Sequence, residues 1–335
     1  MPFTIIQNDI TKVAADAIVN TANPAPRYGR GTDEAIYSAA GREKLLAARG
    51  KIGRLKPGET AVTEAFDLPA KYIIHTVGPK WQGGDQWEEE TLASCYRKSL
   101  QMAKILECES VAFPLISAGS YRFPKDRALQ IALGEIREFL SDEENDMDVT
   151  LVVYDRGIYE LSMEIAGEVK EFLRERTTEV SELYEDRRKN LACEMTYGAP
   201  MMEDAALAPA PGPGGGLEDI FDDIGDTFQQ RLLKLIDERG LTDPQVYKKA
   251  NLDRKLFSKI RSNPNYHPSK KTALALAIAL ELDMTETADL LARGELAMSP
   301  GSKFDLIIEY CIRQKIYDIF EINAILFDYE QPLLV

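Results

Sequence analysis

Ala17-Ile18-Val19-Asn20-Thr21-Ala22-Asn23-Pro24 reads as a short buried strand that stops at two asparagines. A loop spaced by Gly29 and Gly31 follows, and Thr32-Asp33-Glu34-Ala35-Ile36 then opens a helical pattern. Such a loop joins a strand's carboxyl end to a helix amino terminus. It presents free backbone N–H groups and the positive end of a helix dipole, an arrangement suited to a phosphate or diphosphate. Asparagine adds donors and acceptors for sugar hydroxyls, and Asp33 lies close to whatever the loop holds. Gly-x-Gly also punctuates ordinary loops, so this stretch alone is equally an unremarkable strand-to-helix turn.

A second stretch repeats the pattern. Ser110-Val111-Ala112-Phe113-Pro114-Leu115-Ile116 is an apolar strand. Ser117-Ala118-Gly119-Ser120-Tyr121-Arg122-Phe123-Pro124 follows as a polar loop that leads into a helical segment from Lys125 to Leu140. Two strand–loop–helix units in one open α/β sheet can place both loops at the same carboxyl edge, where such sheets bind ligands.

With these two units the sequence resembles the macrodomain family over about residues 2–175. The resemblance is carried by Asn8-Asp9-Ile10-Thr11, Ala17 to Pro24, Gly29 to Ile36 and Ala39-Ala40-Gly41. It continues in Ile74-His75-Thr76-Val77-Gly78-Pro79-Lys80-Trp81 and Ser117 to Pro124. It implies a three-layer α/β/α fold with a mixed sheet, and ADP-ribose as the ligand, with no cofactor and no metal. Asp9 would accept a hydrogen bond from the adenine amino group, with Ile10 against the base. Without the resemblance, Asp9 is a turn or cap residue. The Gly29-Arg30-Gly31-Thr32 and Ser117-Ala118-Gly119-Ser120-Tyr121 loops would clamp the diphosphate, Asn20 and Asn23 would lie at the distal ribose, and Tyr154 or Arg156 would flank the adenine. Asp33 is the one carboxylate that the motif places beside that ribose, so it is the candidate general base or water orienter, with Asn23 and Tyr37 as its catalytic neighbours.

The sequence departs from hydrolytic members of the family in three places. Arg30 interrupts the glycine run, Glu34 replaces a small residue after the aspartate, and Tyr37 stands where a histidine is common. Tyr37 is four residues after Asp33, on the same helix face, where its hydroxyl would orient the carboxylate. Two readings stay open. The domain hydrolyses mono-ADP-ribosyl or O-acetyl-ADP-ribose linkages, or it is a non-catalytic reader of free or attached ADP-ribose that relays occupancy to the rest of the chain.

At 335 residues the chain is long enough for two cores. Cys95, Cys108, Cys193 and Cys311 are scattered, without a Cys-x-x-Cys pair, and read as free thiols in a reducing cytoplasm. The only histidines are His75 and His267, which leaves no set for a structural zinc and argues against a histidine-based triad. His75, inside the strand Tyr72 to Thr76, reads as a core residue. No run has the basic flank and apolar centre of a signal peptide, and none reaches membrane-spanning length. The net charge of −15 argues against a general polyanion binder but not against a local basic patch.

Further strands are expected at Phe3 to Gln7, Thr60 to Phe66 and Asp148 to Tyr154. Helices are expected from Thr32 to Leu46, closing near Arg49-Gly50, from Glu88 to Leu106 and from Glu160 to Arg176. Residues 1–178 would form the α/β domain. Residues 179–226, with 12 acidic and 3 basic side chains and a run from Ala208 to Gly216 made of Ala, Pro and Gly, read as a mobile tether. Residues 227–335 read as a separate all-helical domain, and their helix order resembles the phage-repressor type of helix-turn-helix. Between Arg231 and Lys271 there are 11 basic and 4 acidic residues, a balance that suits phosphate contacts. Its third helix, Arg254 to Arg261, offers Lys and Arg but no Asn or Gln for adenine readout. A protein partner or self-association is therefore the preferred role, with DNA as the alternative.

Overall fold

The protein is described from a computed structural model over residues 3–142, 144–154, 165–179 and 226–334. The tether expected at 179–226 and the segment containing Arg156 lie almost wholly outside these residues. Six strands form one sheet: β1 (Phe3–Gln7), β2 (Ala17–Thr21), β3 (Thr60–Glu64), β4 (Tyr72–Thr76), β5 (Ser110–Pro114) and β6 (Asp148–Val153). Their order is β1-β6-β5-β2-β4-β3. All neighbours are parallel except β3, which runs antiparallel to β4. Central β2 opens with three apolar residues and is buried along nearly its whole length, as a parallel strand covered on both faces must be.

Alternate residues of β2 enter different layers. Ala17 and Val19 face helices α3 (Glu88–Ile105) and α4 (Lys125–Ser141), while Ile18 faces α1 (Thr32–Ala40) and α2 (Arg42–Ile52). Residues 165–179 form helix α5. The helix expected from Thr32 to Leu46 is two helices, broken at Gly41. Its φ of 88° and ψ of 93° suit no L side chain, and a Cβ there would lie 2.9 Å from Asp67 Oδ2. The chain restarts as α2 and runs through Gly50 to Ile52, so Arg49 sits in a last helical turn rather than beyond the helix end.

The helical region contains α6 (Phe228–Glu238), α7 (Asp243–Lys249), α8 (Arg254–Ser262), α9 (Lys270–Ala279), α10 (Met284–Ala292), α11 (Lys303–Arg313) and α12 (Ile319–Asp328). Side-chain caps start each of them, with full capping boxes at Thr227, Thr242 and Asp283. This region docks on the sheet. The apolar core on the α3–α4 side continues into it, and Phe320 packs on Phe3 with ring centroids 4.8 Å apart. Asn251 is fully buried in left-handed backbone (φ 54°). Its Oδ1 accepts from Phe3 N–H at 3.0 Å and its Nδ2 donates to Phe3 C=O at 2.8 Å, so one amide side chain occupies both backbone groups of the outermost strand.

Candidate functional site

The strand order decides where the loops meet. β1, β6, β5 and β2 are consecutive parallel neighbours, so their carboxyl ends share one edge. Asn8-Asp9 leave β1 there, Tyr154 leaves β6, Ser117 to Tyr121 follow β5, and Asn23 to Asp33 follow β2. Together they line a cleft of about 600 Å³, within the size usual for small-molecule sites, roughly 300–1,000 Å³.

Asp33 is 3 % exposed and both carboxylate oxygens are held. Oδ1 accepts from Asn20 Nδ2 at 2.7 Å, and Oδ2 accepts from Gly29 N–H at 2.5 Å. Burial pushes the carboxyl above its ordinary value, against the Asn20 and Gly29 hydrogen bonds and the Arg49 charge, which favour the anion. A Cβ on Gly29 would stand 3.3 Å from Asp33 Oδ2 and 4.0 Å from Asn23 Nδ2, so glycine lets the backbone close on the carboxylate. Gly31 is glycine for a different reason: open space surrounds it, but its φ is +68°. It precedes α1 without a side-chain cap, which leaves first-turn N–H groups facing the cleft.

A row of hydrogen bonds supports Asp33 from below. Asn20 Nδ2 also lies 3.2 Å from His75 Nδ1, and His75 Nε2 lies 2.9 Å from Thr63 Oγ1. Asn20 Nδ2 can only donate, so His75 Nδ1 is the acceptor and Nε2 carries the proton. Burial first, and then the Arg49 charge, hold His75 neutral, with its pKa lowered to about 3. His75 is thus a fully buried core histidine with both ring nitrogens partnered. Arg49, 1 % exposed, donates to Gly53 C=O and, at 3.4 Å, to Asn23 C=O. It is the buried cation beneath the cleft, where it acts on Asp33, Tyr37 and His75.

The opposite wall is the Ser117 to Tyr121 loop. Ser117 is in left-handed backbone (φ 64°), and its buried Oγ has no hydrogen-bond partner. A Cβ on Gly78 would fall 2.1 Å from that oxygen, so the loop depends on Gly78 for its seat. The Trp81–Phe123 edge contact and the bond from Trp81 N–H to Tyr121 C=O (3.0 Å) brace it. Burial raises the Tyr121 hydroxyl, and the Asp33 charge adds to the effect.

Of the residues singled out from the sequence, Asp9, Ile10, Asn23, Gly29, Arg30, Gly31, Thr32, Asp33, Ser117, Gly119, Ser120, Tyr121 and Tyr154 line the cleft. Asp9 also has the cap role, its Oδ1 accepting from Thr11 N–H at 3.0 Å and Thr11 Oγ1 at 2.7 Å. Asn23 Oδ1 accepts from Ala25 N–H at 3.2 Å, which turns its Nδ2 towards Gly29. Arg30 is exposed at the rim and does not fill the cleft.

Three residues sit elsewhere. Asn20 is fully buried and holds Asp33 rather than a ligand. Ala118 points into the core because the tight Ser117 turn aims it inward. Tyr37 does not hydrogen-bond Asp33. It is 2 % exposed, packs under the Tyr28 ring at 5.8 Å between centroids, and its hydroxyl is pushed up to about 12 by burial and the Asp33 charge. The i to i+4 spacing put Tyr37 on the right helix, but the aromatic shelf took its ring. Arg49 and Thr63 carried no signal in the sequence, because each looks like an ordinary helix-end cation or strand threonine. Asn8, which carries no role in the sequence reading, also lines the cleft, and its Oδ1 takes Asp9 N–H at 2.8 Å.

The Macro domain family model matches residues 19–132. A macro domain-containing protein of Methanosarcina mazei is 48% identical over 152 residues, which are 45% of this chain and 81% of that protein. An O-acetyl-ADP-ribose deacetylase of Cronobacter turicensis is 42% identical over 170 residues, 50% of this chain and 97% of the enzyme. The Trypanosoma brucei macrodomain solved in complex with ADP-ribose is 32% identical, with a TM-score of 0.44, over 47% of this chain and 66% of that one. With 48% and 42% identity over 81% and 97% of the Methanosarcina and Cronobacter proteins, and the cleft assembled from the family's own motifs, the chain belongs to the macrodomain family.

Proposed function

We propose that the cleft binds ADP-ribose and that Asp33 activates a water for hydrolysis at the distal ribose, either of a mono-ADP-ribosyl linkage or of O-acetyl-ADP-ribose. The observation that carries this reading is a buried carboxylate held in one orientation between two nucleotide-sized loop cradles. The 42% identity to a protein named O-acetyl-ADP-ribose deacetylase supports it. The uncapped N–H groups of α1 and the Gly119–Ser120 backbone take the diphosphate. Asp9 and Ile10 receive the adenine, with Tyr154 at the outer edge, and Asn23 Nδ2 meets the ribose hydroxyls. Burial makes Asp33 more basic than a surface carboxylate and so a better acceptor of the water proton near neutral pH. The water oxygen bonds to the electrophilic carbon as the bond to the leaving oxygen breaks, and the proton held on Asp33 passes to that oxygen. At C1″ the carboxylate also stabilises oxocarbenium character.

A second reading, a reader without turnover, is favoured by one observation. Both Asp33 oxygens already accept a hydrogen bond from the protein, so the group is fixed more firmly than a mobile base needs. Release of ADP-ribose from a mono-ADP-ribosylated protein separates the two. Wild type should release it and Asp33→Ala should not, with ligand binding kept in both. Binding without release by wild type leaves the reader.

For the helical region the preferred role is docking of a protein partner or a second copy, on the resemblance of its helix order to repressor-type helix-turn-helix domains, with DNA as the alternative. Light scattering across a concentration series tests self-association, and DNA binding should weaken steeply with salt.

A further inference from the structure

A second and larger cavity, about 1220 Å³, opens where the helical region meets the carboxyl end of α4. Its walls come from Leu140, Ser141, Asn145, Asp146 and Asp148 on one side, α7 and the start of α8 on another, and Lys315 and Tyr317 to Phe320 on the third. Some of the cations here are consumed by docking. Lys248 Nζ donates to the carbonyls of Leu140, Asp142 and Asn145, Arg137 pairs with Asp318, and Lys249 pairs with Glu281 at 3.1 Å.

Four others are not. Arg254, Lys255, Lys259 and Lys315 line the cavity, and their side chains make no hydrogen bond, ion pair or ring contact among the described residues. Of the carboxylates around them, Asp318 and Glu281 are already paired, and Asp253 caps α8 through Leu256 N–H at 2.7 Å. Asp146 and Asp148 are exposed on the far wall. A chain with 55 acidic residues against 40 basic ones has kept four cations together without partners around one concavity. Like charges held together cost stability unless an anion sits among them. Leu252 and Leu256 with the ring of Tyr317 supply an apolar floor beside them.

We propose that this seam is a binding site for a phosphate-bearing ligand of nucleotide size, with its phosphates on Arg254, Lys255, Lys259 and Lys315 and its apolar part towards Tyr317. The site is distinct from the cleft at the sheet edge. Because one wall is the sheet domain and the others are helical, its occupant bridges the two parts of the chain. The source is a free nucleotide or oligophosphate, or the backbone of a single strand; the phosphate chemistry is shared.

Titration calorimetry of the full chain with inorganic tripolyphosphate at low salt tests it. One site is expected, weakened at least tenfold by Lys255→Glu with Lys259→Glu, weakened likewise by Lys315→Glu, and within twofold of wild type in the exposed control Lys51→Glu. All four substituted side chains are exposed, and unchanged circular dichroism and melting would show that the fold is kept. A labelled single-stranded oligonucleotide that binds and is displaced by tripolyphosphate makes the source a nucleic acid. Tripolyphosphate binding without strand binding makes it a free nucleotide or oligophosphate. No binding of tripolyphosphate, or binding indifferent to the charge reversals at 255, 259 and 315, overturns the proposal.

Discussion

Replacing Arg49 by methionine isolates the buried charge beneath the cleft. Methionine fills similar space, so no cavity is left, and it spares the cost of burying a guanidinium. Two contributions disappear. One is the charge-assisted bond to Gly53 C=O, worth about 1.5–3 kcal/mol, since the second contact to Asn23 C=O at 3.4 Å is too long to count for much. The other is the opposite charge near Asp33; losing one member of a buried charged set costs about 3–5 kcal/mol when the other is left bare. Asp33 is not bare, because Asn20 Nδ2 and Gly29 N–H remain. The net loss expected at pH 8 is therefore about 2–3 kcal/mol. It should also depend on pH. The folded pKa of Asp33 is raised above 3.8, so the folded state holds this proton more tightly than the unfolded chain. Its contribution to stability is complete below 3.8 and is lost as pH rises through the folded pKa. Removing Arg49 raises that folded pKa further, so the deficit of the variant should be largest at pH 8 and shrink as the medium becomes acidic. Urea unfolding at pH 8, 6.5 and 5, followed by circular dichroism, measures it. A deficit below about 1 kcal/mol, or one that is the same at all three pH values, would refute an electrostatic link between Arg49 and Asp33.

Asn20→Leu removes the donor to Asp33 Oδ1 and leaves His75 Nδ1 unpartnered, which should lower stability by about 1–3 kcal/mol and slow release of ADP-ribose at least tenfold; unchanged release would mean that Asp33 needs no orientation. Tyr37→Phe should keep release within threefold of wild type, because the ring packs on Tyr28 and the hydroxyl does not reach Asp33; a hundredfold loss would restore Tyr37 as a catalytic group. Asn251→Ala strips both backbone partners from Phe3 and should cost about 2–4 kcal/mol, seen as a separate early melting of the helical region in calorimetry; a single transition at the wild-type temperature would show that the amide is not what joins the parts.

Much was legible in the residues themselves. Ala17 to Val19 is apolar on both faces and reads as a covered strand, and the glycine-containing stretches around Gly29, Gly31 and Gly119 read as loops that follow strands. Asp253 starts its helix through a hydrogen bond to Leu256 N–H, a local interaction that needs no tertiary context. What the sequence could not reveal is whatever depends on which strand lies beside which. Only the order β1-β6-β5-β2 brings Asp9, Tyr154, Ser117 and Asp33 around one cleft. Only the packing of α2 buries Arg49 beneath it, turns Asn20 from a ligand contact into a support for Asp33, and gives the Tyr37 ring to Tyr28. The docking of the helical region through Asn251 and Phe320 on β1 was equally invisible, and with it the cationic seam. Propensity, capping and glycine conformation act over a few residues along the chain; burial and charge act between residues that are neighbours only after folding.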